Sequence, residues 1–427
     1  MKSNRPSGHT GRSLFILLAA LLLSLPVILT AGSAESAQEQ GNTAPDLSSV
    51  CTFGSSTKDQ KKPIKRMLDG DYETKWIQQD KNPGWITIQA PEGQLIGGVY
   101  ICFDIKSPDW ALEKKTGEDQ WETVYEGDST YRQAYAPLEE PAETVRLINR
   151  DGKTKMRISE LRVYGEGDVP DEVHIWQPTV AEADILFLAT HADDELIFFG
   201  GGIPTYASEK KMQVVVAYLV NCGARRTNEL LDGLWSMGVR NYPVISSFPD
   251  KYLKTLTKEY EVMGGKKKVL GWIVDLFRQY RPRVVVTHDP RGEYGHPQHK
   301  ICSACAEKAY DAAADPEQYP ESAEQWGTWQ VQKLYLHLGK NNRITMDWDV
   351  PLASLDGVTG FDAAVRAFTY HISQHQYSMN VTKTGKRYDN RIFGLERTEV
   401  GPDIIGNDFM ENITPIATGA DILSAGD

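Results

Sequence analysis

Hydrophobic residues change their rhythm along this chain, and the change divides it. Between Ser48 and Gly165 short runs alternate apolar and polar positions: WITIQA (Trp85 to Ala90), GGVYICFDI (Gly97 to Ile105), ETVYEG (Glu122 to Gly127), ETVRLIN (Glu143 to Asn149) and ISELRVYG (Ile158 to Gly165). Strands in series without intervening helices predict an antiparallel sandwich. After a turn-rich stretch, GEGDVPDEVHIWQP (Gly165 to Pro178), the period is different. ADILFLAT (Ala183 to Thr190) and RPRVVVTH (Arg281 to His288) read as strands buried on both faces, with MQVVVAYLV (Met212 to Val220) and YPVISS (Tyr242 to Ser247) as further strands. Helical segments fall between them: one from Leu196, TNELLDGLWSMGV (Thr227 to Val239) and KVLGWIVDLFRQY (Lys268 to Tyr280). That alternation predicts an α/β fold, a Rossmann-like, doubly wound, mostly parallel sheet, following an all-β sandwich.

The expected boundaries are a signal peptide over 1–34, a linker over 35–47, the sandwich over 48–166, a linker over 167–180 and the α/β domain over 181–427. Lys2, Arg5 and Arg12 precede an apolar core, Ser13 to Leu29, and the small-residue run AGSA ends at Ala34. This pattern predicts export with cleavage near Ala34 and a secreted, extracytoplasmic product. An uncleaved anchor is the alternative, because the run is nearly long enough to span a bilayer; Pro26 and the small residues after it favour cleavage. No later stretch approaches spanning length, so no stable membrane span is expected after cleavage.

The formal net charge is −12, and no Lys/Arg cluster interleaved with aromatics offsets it, so nucleic acid is excluded as a partner. Of the five cysteines, Cys51 and Cys102 share the N-terminal region and could pair. Cys302 and Cys305 form a lone CxxC on a predicted helix; without a second such pair, buried packing is expected rather than a metal.

In open α/β sheets ligands bind beyond the carboxyl ends of the strands. Two acid- and histidine-rich segments fall there: THADDE (Thr190 to Glu195) after the first buried strand, and HDPRGEYGHPQH (His288 to His299) after RVVVT. His191 and Asp194 stand three apart at a strand-to-helix turn, and His296 and His299 repeat the spacing. Imidazole and carboxylate are ordinary zinc ligands, and three protein ligands leave a position for water, whose pKa such an ion lowers to roughly 7. A carboxylate that is not a ligand can take the proton, and Asp193 is placed for it. Each feature alone has a plain explanation, a polar loop histidine or an acidic helix start. Three of the nine histidines lie between 288 and 299, opposite an acid-rich turn, and the plain explanations must fail together.

HADDE followed by YGHPQH resembles the PIG-L/LmbE-like zinc-dependent N-acetylglucosaminyl deacetylases. The resemblance runs from Ala183 to the C-terminus and includes GARRTNELLDGLWSMGV (Gly223 to Val239) and HISQHQY (His371 to Tyr377). It implies one zinc ion, or another divalent metal in its place, held by His191, Asp194 and His299, with Asp193 as general base. It implies that His296 protonates the leaving amine or stabilises the oxyanion, and that Tyr294 donates to that oxyanion. Arg226 and Glu229 would touch the sugar, with an ordinary surface pair on one helix as the alternative; scaffolding is the expected role of His288, Asp289 and Arg291. The family usually carries proline where this chain has Ala192. The implied reaction removes an acetyl group from an N-acetylglucosamine-type sugar or glycoconjugate. Two rivals stand: a non-catalytic extracellular glycan-binding protein, and a metallohydrolase acting on an ester or amidine bond. A nucleotide enzyme built on Gly200 to Gly202 is disfavoured, because the strand–helix turn is filled with acids instead of GxGxxG.

The N-terminal segment resembles a discoidin-like (coagulation factor type C) domain, through LDGDYETKW (Leu68 to Trp76), Trp85 opening a strand, Trp121 in a hairpin and the closing ISELRVYG. That implies a jelly-roll sandwich and a cell-surface or polysaccharide ligand, with no binding residue to transfer because ligand loops vary. Trp76, Trp85 and Trp121 are expected in its core.

Overall fold

The computed structural model describes residues 42–57, 63–79, 83–383 and 387–416. The expected signal peptide and residues 35–41 of the expected linker lie outside the described residues.

Among the described residues nine strands form the first part: β1 (Thr52–Ser55), β2 (Trp76–Ile77), β3 (Gly84–Gln89), β4 (Ile96–Phe103), β5 (Trp110–Lys115), β6 (Trp121–Gly127), β7 (Gln133–Ala142), β8 (Thr144–Asn149) and β9 (Arg157–Tyr164). They pair antiparallel in two sheets, β1-β3-β8-β5-β6 and β2-β9-β4-β7. All five strands anticipated from the alternation are present. The strongest strand missed, β7, reads QAYAPLEEPA; its two prolines break the pattern and are tolerated because it is an edge strand. Ile86, Ile88, Val99, Ile101, Trp110 and Leu147 fill the space between the sheets.

Two expectations about this part need correction. Trp76 is a core residue, but Trp85 and Trp121 are only half-buried and flank Arg146, whose guanidinium lies 4.4 Å from the Trp121 ring. The pleat explains it: Ile86 and Ile88 take the inner face of β3, which puts Trp85 outside. Cys51 and Cys102 do not pair, and all five thiols are free. Cys51 packs against the sandwich core, whereas Cys102 belongs to a separate cluster with Tyr100 and Tyr164 on the outer face of the four-stranded sheet.

The second part comprises β10 (Ile185–Ala189), α1 (Asp194–Ile197), β11 (Val214–Tyr218), α2 (Ala224–Ser236), β12 (Val244–Ile245), α3 (Leu256–Val262), α4 (Lys266–Tyr280), β13 (Val284–Thr287), α5 (Pro297–Ala312), α6 (Pro320–Trp326), β14 (Lys333–His337), β15 (Arg343–Thr345), α7 (Gly360–Phe368) and β16 (Ile392–Thr398). Its mixed sheet runs β12-β11-β10-β13-β14-β16-β15: the first five strands are parallel, and β16 pairs antiparallel with both β14 and β15. Ile185, Phe187 and Ala189 meet Leu230, Leu234 and Ala364 on one face. Leu186 and Leu188 meet Ile273 of α4 and Cys302 and Cys305 of α5 on the other, so the lone CxxC is core packing. The glycines at 200–202 serve close approach: a Cβ at Gly201 would fall 2.8 Å from the carbonyl carbon of Gly360.

Neither described linker stretch is loose. Leu47 donates its N–H to Val163 and is buried in the sandwich core. Val173, His174 and Trp176 are buried, and Trp176 packs edge-on against Trp235 and Tyr242. Helix α2 carries the seam. Arg225 pairs with Glu73 at 2.8 Å, Asn228 donates to the Phe103 carbonyl, Asp232 accepts from Tyr72 (2.8 Å) and Gln133 (2.9 Å), and Trp235 donates to the Asp171 carbonyl. Positions 225, 228, 232 and 235 recur at intervals of three and four, one face of a helix turned to the sandwich.

Candidate metal centre and active site

Strands β10 and β13 are adjacent, and the strand order reverses between them, so their carboxyl ends open a crevice. The 190–195 turn leaves β10 and the 288–299 loop leaves β13, which brings the two sequence motifs face to face. His191 Nδ1, His299 Nε2 and Asp194 Oδ2 form a triangle with edges of 3.0, 3.0 and 3.1 Å. All three residues are buried. Ligand atoms about 2.0–2.2 Å from a tetrahedral ion stand roughly 3.3–3.6 Å apart, so this donor set fits a small divalent cation after slight expansion.

Two triads among the described residues have metal-binding geometry, His191–His296–His299 and Asp194–His288–His299. Hydrogen bonding narrows them. His288 Nε2 accepts the Thr190 N–H at 3.0 Å while its Nδ1 faces Glu293, so both ring nitrogens are engaged. His296 Nδ1 accepts the Gln298 N–H at 3.2 Å, which leaves the proton on Nε2. His191, Asp194 and His299 keep their converging atoms free of such bonds to the backbone, apart from the His191 N–H that orients Asp194 Oδ2.

A supporting shell surrounds the triangle. Gln298 Oε1 meets His191 Nε2 at 2.8 Å, and its amide donates to the Pro249 carbonyl. Asp250 stands 3.6 Å from the same nitrogen. His288 stacks flat on His299, ring centres 4.4 Å apart. Behind it Glu293 bridges His288 (3.2 Å) and His337 (2.8 Å). His337 Nε2 faces the Asp389 carbonyl, so both its nitrogens meet acceptors and the ring carries both protons; its pKa is raised and Glu293 is held below the carboxylate range despite burial.

Asp193 has the backbone φ of 124°, a conformation costly for a side chain with a Cβ. Its carboxylate lines the pocket, where Arg226 grips Oδ1 at 3.0 Å, and its own N–H is held by Glu195. Burial pushes Asp193 above the ordinary carboxylate range against the pull of Arg226, whereas His299 and His191 hold Asp194 far below it against burial. Burial and the neighbouring His191 and His299 push His296 down to about 3.

The pocket, about 660 Å³, is lined by His191, Asp193, Asp194, Arg226, Tyr294 and His296, with Asp250, Gln374, Tyr377 and Tyr388 on its walls. Every predicted site residue but one is at this crevice: His299 forms its floor, and Tyr294 stands half-exposed at the rim, its ring 5.7 Å from that of His296. The exception is Glu229. It turns away, accepts from Arg225 Nε at 3.1 Å and from the Ser373 N–H at 2.9 Å, and also binds the Ser373 hydroxyl; it anchors the 372–374 turn and does not line the pocket. Three residues of the site went unread in the sequence. Gln298 lies inside HPQH, and Asp250 follows the carboxyl end of β12, so the strand-end rule that found the other acids would have found it. His337 ends β14, the next strand along.

The fold and the crevice define an α/β protein with a His/Asp metal-binding geometry at a strand switch point. Residues 186–310 match the family model described as PIG-L: GlcNAc-PI de-N-acetylase, and the chain carries a PIG-L domain there. It is similar to a 1D-myo-inositol 2-acetamido-2-deoxy-alpha-D-glucopyranoside deacetylase of Geodermatophilus obscurus, 26% identical over 53% of this chain and 90% of that one. A protein of the same name from Streptomyces avermitilis is 28% identical over 35% of this chain and 60% of its own length. A mycothiol S-conjugate amidase of Streptomyces coelicolor is 40% identical, over 17% of this chain and 25% of that one. Solved structures similar to it include a family 32 carbohydrate-binding module from C. perfringens in complex with galactose, at 15% identity, a TM-score of 0.25, and 28% of this chain and 98% of that one. Another is a chitosan-binding module from Paenibacillus sp. IK-5, at 20% identity, a TM-score of 0.25, and 28% of this chain and 99% of that one.

Proposed function

We propose that this protein is a metal-dependent N-deacetylase, with zinc as the metal, acting on an N-acetylglucosamine-type sugar or glycoconjugate outside the cytoplasm. The observation that carries the reading is the triangle of His191, Asp194 and His299, three buried donor atoms turned towards one point beside a carboxylate that is not among them. The strand order and the helical layers on both faces of the sheet support its Rossmann-like, doubly wound description. The names of the PIG-L relatives support an amide on an amino sugar as the bond cleaved.

His191, Asp194 and His299 would hold the ion; a divalent cation there polarises a carbonyl and acidifies water. Asp193 Oδ receives the proton of the attacking water, as its raised affinity for a proton suits. Arg226 fixes that carboxylate and keeps one edge directed into the pocket. As the water oxygen bonds to the acyl carbon, negative charge builds on the former carbonyl oxygen. His296 offers it an Nε2–H, its Nδ1 being tied to the Gln298 amide, and the Tyr294 hydroxyl at the rim offers a second donor. That hydrogen-bonding pattern favours oxyanion stabilisation over amine protonation for His296. The carbon–nitrogen bond then breaks, nitrogen takes the proton carried by Asp193, and acetate and a free amine leave.

The test is acetate release from a panel of N-acetylated monosaccharides, chitooligosaccharides and inositol glycosides, before and after chelation and with zinc restored. Release that stops on chelation and returns with the metal is expected. Failure on every N-acetyl substrate by the metal-loaded protein overturns the reading. Amino-terminal sequencing of the exported protein tests the predicted cleavage near Ala34.

A further inference from the structure

A second cavity, about 560 Å³, opens on the seam between the sandwich and the α/β part, away from the metal-binding crevice. Three guanidiniums line it, one from each of three elements: Arg162 from β9, Arg240 from the loop after α2, and Arg366 from α7. Among the described residues none of the three has a carboxylate within 4.0 Å, although Asp171 and Glu172 stand on the same wall. Asp232, the remaining acid, is already held by Tyr72 and Gln133. None of the three is held in an ion pair, and the cleft's acids act on them only at longer range, Asp171 on Arg240 and Asp232 on Arg162.

The guanidiniums are held ready. Arg240 lies over the Trp235 ring at 3.8 Å and donates to the carbonyls of Trp235 and Val239, and Arg366 donates to the Ser236 carbonyl at 2.8 Å. These bonds use one nitrogen of each and leave further N–H groups for a ligand, in the planar fork that suits carboxylate and sulfate. Arg162 is opposite Tyr100 in the pairing of β9 with β4, on the outer face of the sheet. Burial pushes His174, at the back of the cavity, down to about 3, and Arg240 and Arg162 push it further the same way, so both cations reach the same space.

The cavity is far larger than a lone ion. Tyr100, Tyr370 and Ser236 line it with hydroxyls, and Asp171 and Glu172 are free to accept from a ligand's hydroxyl groups. We propose that this seam cleft binds an acidic sugar, a saccharide unit whose carboxylate or sulfate is taken by Arg162, Arg240 and Arg366. Both parts of the chain contribute to the site, Arg162 from the sandwich and Arg240 and Arg366 from the α/β part. The site is independent of the proposed hydrolysis.

Titration calorimetry of the full chain with a glucuronate-containing disaccharide, its uncharged glucose counterpart and sodium sulfate tests it without any catalytic readout. The acidic disaccharide should bind at least tenfold more tightly than the uncharged one and lose affinity as salt is raised. Arg240→Ala with Arg366→Ala should remove at least another tenfold. Arg240→Lys with Arg366→Lys, which keeps the charge but not the fork, should fall between and guards against misfolding as the cause. Equal binding of charged and uncharged disaccharides, no binding of either, or unchanged affinity in the alanine variant overturns the proposal. Sulfate alone binding as tightly as the acidic disaccharide overturns it too, since the cleft would then be a plain anion site.

Discussion

At the residue scale the centre depends on which nitrogen each histidine offers. Gln298 meets Nε2 of His191 with a neutral carbonyl oxygen, so that nitrogen keeps a proton and Nδ1 is the nitrogen turned to Asp194 and His299. Gln298→Ala should therefore weaken metal affinity by about 10–100-fold, as loss of an outer partner does; competition against a chromophoric chelator reads it, and an unchanged affinity would remove Gln298 from the shell. Asp193→Asn should lower turnover by roughly 10²–10⁴ while the protein binds its metal as before, because the carboxylate accepts a proton and does not ligate. Glu229 shows what spacing alone does not decide. Positions 226 and 229 are neighbours on α2, yet Arg226 faces Asp193 while Glu229 faces Ser373. Glu229→Gln should leave KM for substrate within twofold and cost about 1–3 kcal/mol of stability, because charged bonds to Arg225 and to a backbone N–H are weakened. A large rise in KM with unchanged stability would restore it to the substrate.

At the element scale, α2 serves three neighbours: the sandwich through Asn228 and Asp232, the sheet through Leu230 and Leu234, and the pocket through Arg226. Asp232 gives this docking a pH dependence. Burial pushes its carboxyl up to about 7, with the bonds from Gln133 and Tyr72 opposing. The unfolded chain releases this proton near pH 3.9, so between that value and about 7 the folded state holds a proton the unfolded state has lost. Its contribution to stability is full below that window and is lost as pH rises through it. Asp232→Asn, which is never charged, should raise the melting temperature at pH 8 and have little effect at pH 4. A gap that is constant with pH, or widest in acid, would contradict this. The elements themselves were readable where one rule governs a stretch: β10, β11 and β13 are uninterrupted apolar runs, and α4 follows its amphipathic period. β5 and β7 were not, since Glu113 and Lys114 or Pro137 and Pro141 interrupt the apolar pattern and only pairing in the sheet makes them strands. The crevice was readable because strand ends are marked by sharp changes from apolar to acidic text. The seam was not, because contacts such as Tyr72 to Asp232 join residues with no local relation.

At the scale of the whole molecule, the sandwich and the α/β part fall in one compact unit. Residues 167–180 read as a linker because turn formers such as Asp168, Pro170, Asp171 and Pro178 mark the stretch, but between them Val173, His174 and Trp176 are buried. Trp235, Trp176, Tyr242 and Tyr131 then form a continuous aromatic contact across the seam, Tyr131 lying 5.2 Å from Tyr242 and Trp176 5.4 Å from Trp235. A true linker is an early site of proteolytic cutting, whereas backbone held by buried side chains must open first. Limited digestion with the acid-specific protease that cuts after Asp and Glu is informative, since Glu166, Asp168, Asp171 and Glu172 all lie in or beside the stretch. The intact chain should resist cutting there until it unfolds, and heating should give one cooperative transition for both parts. Removing the sandwich should bare Trp235 and the polar face of α2, lower the melting temperature of what is left and promote association. It should also raise KM for the N-acetyl substrate, because Arg226 sits on the helix that has lost its outer support. Rapid cleavage at 166–172 into two fragments that each keep their own melting transition would show that the seam adds nothing, and with it would go the reason for expecting the sandwich to influence catalysis.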